Sequence, residues 1–251
     1  MGYYSILNKI IGEFNALIRK LPILDNVAGR LTYFYDDAEP YGRGEKLRKI
    51  NELRGEKFTF CYDDKPVFMP CSFTVNEGEK VVVRGQNGSG KSTLLNVFLG
   101  ILRDYSGSLT VDGIELSAVD PDSYRDLVAY APQDPYLFKG TILDNIRLAN
   151  PGSDETRARQ LLREYGISGI AEREIKSGGY ELSGGERQKI SIIRAMIKDT
   201  PVVFLDEPEN NLDITAMEKV KEWIRHSGKT VIYVSHNPEF IACADKEIKL
   251  T

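Results

Sequence analysis

Two short stretches carry residues whose types and spacing suit phosphoryl chemistry. Gly85-Gln86-Asn87-Gly88-Ser89-Gly90-Lys91-Ser92-Thr93 has the form GxxxxGK[ST]. Glycines let the backbone wrap so that the N–H groups from Gly88 to Lys91 point at one phosphate chain, and a helix beginning there favours negative charge. Lys91 has the reach for the outer phosphates, and the Ser92 hydroxyl can ligate Mg²⁺. The candidate binding set is Gly85, Asn87, Gly88, Ser89, Gly90, Lys91, Ser92 and Thr93. The second stretch, PVVFLDEP over 201–208, is an apolar run ending in two carboxylates. Buried in a sheet, it delivers Asp206 beside the phosphate loop, where Asp206 can hold Mg²⁺ through water. Glu207, one residue on, is then a candidate base for an attacking water.

Those groups need elements to hold them. The run KVVVR over 80–84 reads as the strand before the phosphate loop, and 91–103 as the helix after it. Further strands are expected over 57–62, 108–111, 127–130, 201–205 and 230–235. Further helices are expected over 153–165, 186–198 and 212–226. Strands alternating with helices indicate an α/β fold with a mainly parallel sheet. Upstream, Leu7, Ile10, Phe14, Leu17 and Leu21 recur at spacings of three and four, which predicts an amphipathic helix over 3–21 ended by Pro22. Two readings of this helix stand, one packed on its own domain and one whose partner lies elsewhere. The charged stretch 36–57 reads as a linker with a short helix near 45–53.

Composition narrows the class. The 251 residues are 41% hydrophobic and 28% charged, enough to bury a core and too apolar for a disordered chain. No stretch approaches about 18 uncharged apolar residues, so no membrane-spanning helix is expected. The net charge of −4 gives no general argument for nucleic acid or anionic lipid. Cys61, Cys71 and Cys243 are far apart and form no CxxC pair, against a disulfide scaffold or a structural zinc site.

Leu182-Ser183-Gly184-Gly185-Glu186-Arg187-Gln188 opens the helix expected at 186. In isolation it is a Ser/Gly cap. Between the phosphate loop and Asp206, it resembles the signature of ATP-binding cassette (ABC) ATPases, and the resemblance extends over residues 56–250. It implies a P-loop NTPase core with a mainly parallel sheet, a β-subdomain and a helical subdomain at about 134–196. Residues 1–50 would then be an N-terminal amphipathic helix and linker, and 51–251 the ATPase domain.

Several site residues come from this resemblance alone. Tyr62 resembles the aromatic that stacks on adenine, and Gln133 the glutamine that senses Mg²⁺ and γ-phosphate, adding to Ser92 and Asp206 as a metal contact. His236 resembles the switch histidine, and Asp213 the loop that communicates between paired domains. Ser183, Gly184 and Gly185 would act in trans, closing over ATP held by a second nucleotide-binding domain, identical or not. The expected catalytic set is Glu207, His236, Gln133 and Lys91. His226, at a helix end, reads as a capping or solvated residue.

The stretch 132–146 resembles that of ABC exporters, where it contacts the cytoplasmic ends of transmembrane helices. The resemblance implies a transmembrane domain, upstream in the same polypeptide or on a separate chain, and a place on the cytoplasmic side of the plasma membrane. The form given is expected to be soluble, with no nucleic-acid partner. Glu174 resembles the first acid of the loop before the signature. There are departures: Glu186 where Gln is commoner, Glu209-Asn210-Asn211-Leu212-Asp213 for the usual Ser-Ala-Leu-Asp, Lys176 and Ser177 for Gly-Glu, a short 133–183 segment, and a stop at Thr251 soon after Ile248. A soluble ABC ATPase acting on nucleic acid or translation, and an ATP-gated binding module with little turnover, are the alternatives.

Overall fold

The computed structural model describes residues 44–62, 65–152 and 155–251. The helix expected over 3–21 and most of the linker lie outside the described residues.

Runs of β-branched and apolar residues with no polar alternation demand burial on both faces, and a parallel sheet provides it. β4 (Lys80–Arg84), β7 (Val128–Ala131), β10 (Val202–Asp206), β11 (Thr230–Val234) and β12 (Lys246–Lys249) form this sheet in the order β12-β4-β11-β10-β7, every pair parallel. Side chains of period two divide it between two cores. Val81, Val83, Val202, Phe204, Ile232 and Val234 face one cluster, while Val82, Val203, Leu205, Val231 and Tyr233 face the other.

The first cluster joins the parallel sheet to an antiparallel one, in which β1 (Glu52–Tyr62) pairs with β2 (Lys65–Pro66), β3 (Cys71–Asn76) and β5 (Tyr105–Val111), and β5 with β6 (Ile114–Glu115). Phe98 bridges the two, with its ring centroid 5.2 Å from Phe73 and 6.0 Å from Phe204. The second cluster packs helices against the other face. These are α3 (Ile142–Arg147), α4 (Glu155–Glu164), α5 (Gly184–Ile197) and α6 (Ile214–His226), preceded in the chain by α1 (Lys91–Phe98) and α2 (Pro121–Leu127) and followed by α7 (Pro238–Ile241). A small ladder of β8 (Gly140–Thr141) with β9 (Glu174–Ile175) closes the helical layer.

Two expectations are corrected. The helix expected over 91–103 stops at Phe98, because Gly100 takes φ 69 and its N–H bonds Val97 O while the Ile101 N–H bonds Asn96 O. That pattern of back-bonds terminates helices. The short helix expected near 45–53 does not form. Glu45 pairs with Val119, the Leu47 N–H donates to Ser123 Oγ, and β1 begins at Glu52. Tertiary partners there satisfy the backbone that a lone helical turn would leave open.

Candidate functional site

Parallel strands end on one edge, and that edge collects the chemistry. Val83 pairs with Val234, Val234 with Asp206, and Leu205 with Ala131, so the residues just beyond four neighbouring strands emerge together. They are the phosphate loop after β4, His236 after β11, the Asp206–Glu207 pair at the end of β10 and Gln133 after β7. Asn87, Gly88, Gly90, Lys91, Ser92, Thr93, Gln133, Glu207 and His236 line one open cleft of about 770 Å³, together with Val67.

The loop needs its glycine at 90, where φ is 85 and a Cβ would lie 2.5 Å from Val67 Cγ1. Gly90 is also the N-cap of α1, so the loop feeds directly into the positive end of a helix. Lys91 is only 7% exposed, and its side-chain nitrogen donates to Gly85 O (3.2 Å) and Gln86 O (2.9 Å), which holds it beneath the loop. Gly85 and Ser89 do not line this cleft. They line a second cavity of about 860 Å³, with Arg84, Glu247 and Leu250, while Asn87, Gly88 and His236 border both.

Asp206 is 3% exposed and its Oδ1 has no hydrogen-bond partner. Burial pushes its carboxyl above the ordinary range; the Ser92 hydroxyl bonded to it opposes that, as does Lys91, while the charges of Glu207 and Glu209 add to it. A buried, unpartnered carboxylate oxygen beside a hydroxyl fits a hard divalent cation that takes oxygen ligands.

Glu207 sits at φ 46, in the left-handed region, with its N–H on Val234 O at 3.1 Å. Such backbone is costly for a non-glycine residue and collects at functional sites. Its Oε2 accepts from Gln133 Nε2 (2.7 Å) and Asn210 Nδ2 (2.6 Å). Gln133 thus spends its amide N–H on Glu207, leaving the amide oxygen for another contact.

Other expected residues lie away from the cleft lining. Tyr62 is 52% exposed at the end of β1, its ring edge-on to Phe60 at 4.9 Å. Ser183 caps α5 in a capping box with Glu186, and Gly184 and Gly185 lie against Asn211. Asp213 caps α6 through Ala216 N (2.9 Å) and pairs with Lys189 of α5 at 2.5 Å. Glu174 stands opposite Thr141 in the β8–β9 ladder, and His226 Nδ1 is 2.9 Å from Glu222 O at the end of α6.

Within 132–146, Tyr136 (52% exposed) and Phe138 (54%) form an edge-to-face pair at 5.4 Å. Arg194 of α5 holds the backbone beneath them, through Tyr136 O (2.7 Å) and Asn145 O (2.9 Å), and stands 5.7 Å over the Phe138 ring. Sequence reasoning missed Val67, Asn210, Glu209 and Ser235. The latter two join at 2.5 Å through Glu209 Oε1 and the Ser235 hydroxyl. The one signal available was the departure of 209–211 from the usual loop.

Residues 68–210 match the family described as ABC transporter. The chain is 38% identical to the Bacillus subtilis glutathione/L-cysteine transport system ATP-binding/permease protein CydD, over 97% of this chain and 44% of that protein. It is 34% identical to the Mycolicibacterium smegmatis mycobactin import ATP-binding/permease protein IrtB, over 98% of this chain and 45% of that protein. A solved bacterial Atm1-family ABC exporter with ATP bound shares the fold, with a TM-score of 0.80 at 23% identity over 99% of this chain and 46% of that one. The chain spans about half the length of these curated relatives.

Proposed function

The chain belongs to the ABC transporter family, and from that premise we propose that its cleft binds Mg²⁺-ATP and hydrolyses it to drive transport across a membrane. The observation that carries the reading is the convergence of Lys91, Gln133, Glu207 and His236 on one cleft at the ends of parallel strands.

The N–H groups from Gly88 to Lys91 and the Lys91 ammonium hold the phosphates, and His236 fixes the γ-phosphate from the facing wall. Ser92, Asp206 and Gln133 would hold Mg²⁺ through a hydroxyl, a carboxylate and an amide oxygen, and the ion would supply charge neutralisation to the phosphates. Glu207 orients the attacking water. As the water oxygen bonds to the γ-phosphorus, the bond to the β–γ bridging oxygen breaks and ADP leaves. The water proton passes to Glu207 and then to solvent. Positioning and charge neutralisation supply most of the acceleration.

Tyr62 is the proposed contact for adenine, on a strand end close in sequence to Val67 of the cleft wall. Ser183, Gly184 and Gly185 lie off the cleft lining, which favours their use across a head-to-tail pair, with Asp213 communicating between the two domains. ATP then closes the pair and hydrolysis releases it. On this reading residues 1–50 connect the chain to a transmembrane domain, 51–251 are the ATPase domain, and 134–196 its helical subdomain, at the cytoplasmic face. No described helix is long and apolar enough to cross a membrane, and the exposed Tyr136–Phe138 pair is the proposed contact with the membrane partner. Export is the first reading of direction. Import is the second, favoured by the similarity to the mycobactin import protein.

Lys91→Ala tests the phosphate site. Calorimetry should show ATP affinity lost and phosphate release should stop, whereas unchanged affinity would remove the assignment.

A further inference from the structure

The loop that departs from the usual sequence, Glu209-Asn210-Asn211, touches the functional site in three places. Asn210 closes a turn on Glu207, its N–H on Glu207 O at 3.0 Å, and its side-chain amide reaches Glu207 Oε2 at 2.6 Å. Glu209 accepts from Ser235, whose fully buried hydroxyl oxygen also takes the Asn237 N–H at 3.1 Å, beside the backbone that carries His236. Asn211, at φ 60, presents its carbonyl so closely to Gly185 that a Cβ there would lie 2.6 Å away. The loop is therefore held on both sides of Asn210, and the direction of its side chain is fixed by the fold.

We infer that Asn210 is a positioning residue that, together with Gln133, pins Oε2 of Glu207 and leaves Oε1 as the oxygen that takes the proton of the attacking water. Two amide donors, from Gln133 at 2.7 Å and Asn210 at 2.6 Å, occupy the lone pairs of one carboxylate oxygen. A carboxylate bonded this way cannot rotate without losing charge-assisted bonds, so its other oxygen keeps one bearing. As the water oxygen joins the γ-phosphorus and ADP leaves, the water O–H breaks and its proton goes to Oε1. A serine here, as in the usual loop, ends one bond short of the amide nitrogen and lacks this reach. The inference rests on the reading of Glu207 as the base.

The test uses the full chain with Mg²⁺-ATP, following steady-state phosphate release, calorimetric ATP affinity and melting temperature. Asn210→Ala should lower kcat about tenfold, with KM and ATP affinity unchanged, as expected for one hydrogen bond to a charged group. Asn210→Gln, which keeps the amide, should recover part of the loss, and Asn210→Asp should deepen it by facing Glu207 with a like charge. If the alanine variant melts early, Asn210→Ser carries the same test with the same expected fall. In a Glu207→Gln background, Asn210→Ala should change the residual rate by less than about twofold, because the proton acceptor is gone. Wild-type kcat in Asn210→Ala, or an equal fall in the Glu207→Gln background, overturns the inference and leaves Glu207 as the base. Wild-type turnover in Glu207→Gln alone removes the base itself, and the inference with it.

Discussion

Replacing Glu207 by glutamine preserves shape and removes basicity, so it isolates the proton-accepting role. The wild-type Oε2 takes donors from Gln133 at 2.7 Å and Asn210 at 2.6 Å. A glutamine that turns its amide oxygen toward them keeps both bonds, and the left-handed backbone at φ 46 is untouched. The two bonds lose their charge assistance at about 1 kcal/mol each. Asp206 loses a like-charged neighbour in return, and the melting temperature should move by no more than about 4 °C. A general base is worth about 10²- to 10⁴-fold, or about 2.7–5.4 kcal/mol at roughly 1.36 kcal/mol per tenfold. Phosphate release should therefore fall by that factor while ATP affinity stays, and an ATP-bound pair should accumulate in light scattering with Mg²⁺-ATP. Turnover within tenfold of wild type would show that the proton goes elsewhere. A monomer at every concentration would refute the head-to-tail pairing.

Other substitutions probe the parts around this centre. Gly185→Ala places a Cβ 2.6 Å from Asn211 O, against 3.2 Å from Asn211 Cγ for Gly184→Ala. The first should cost about 1–3 kcal/mol in denaturant unfolding and the second less, and equal costs would contradict the close approach. Glu186→Gln removes a carboxyl held below its ordinary range, first by the Ser183 N–H. A lowered value stabilises above the unfolded-state value and is lost as pH falls through the folded one. The variant should therefore melt about 1–4 °C lower at neutral pH, with the gap closing in acid; a gap independent of pH would refute the charge argument.

How far the sequence carried the reading follows from which interactions are local. Strand β10 was legible to within a residue because VVFLD is buried at every position, and a continuous apolar run ending in Asp206 has few other solutions. The phosphate loop was legible because its conformation demands glycine, as at Gly90. The end of α1 was misjudged because Leu99, Ile101 and Leu102 continue an apolar pattern that Gly100 ends by φ alone. β3 went unread, since Cys71–Asn76 takes its register from β1 and shows little pattern of its own. Asn210 showed only as a departure from the usual loop, with no sign of its role. Nothing in its type predicts a side chain that turns back onto Glu207, because that contact depends on the anchoring of 209 and 211 by Ser235 and Gly185.

The start of α5 satisfies its own backbone before any partner is considered. Ser183 Oγ accepts the Glu186 N–H at 3.2 Å, and Glu186 Oε2 accepts the Ser183 N–H at 2.7 Å, so two backbone donors are satisfied without any second chain. The Ser183 side chain also bonds the Glu186 carboxylate, so in the proposed pairing its hydroxyl would have to turn from Glu186 to reach a phosphate oxygen. Glu186, where glutamine is commoner, adds a negative charge at the helix end where that phosphate would arrive. It stabilises the lone helix through the macrodipole and offsets the positive end that would otherwise attract an anion. An amide in its place would cap without that opposition. In the proposed pairing the carboxylate would therefore weaken the attraction of phosphate by the helix end alone, and closure would depend on the directed bonds of Ser183, Gly184 and Gly185.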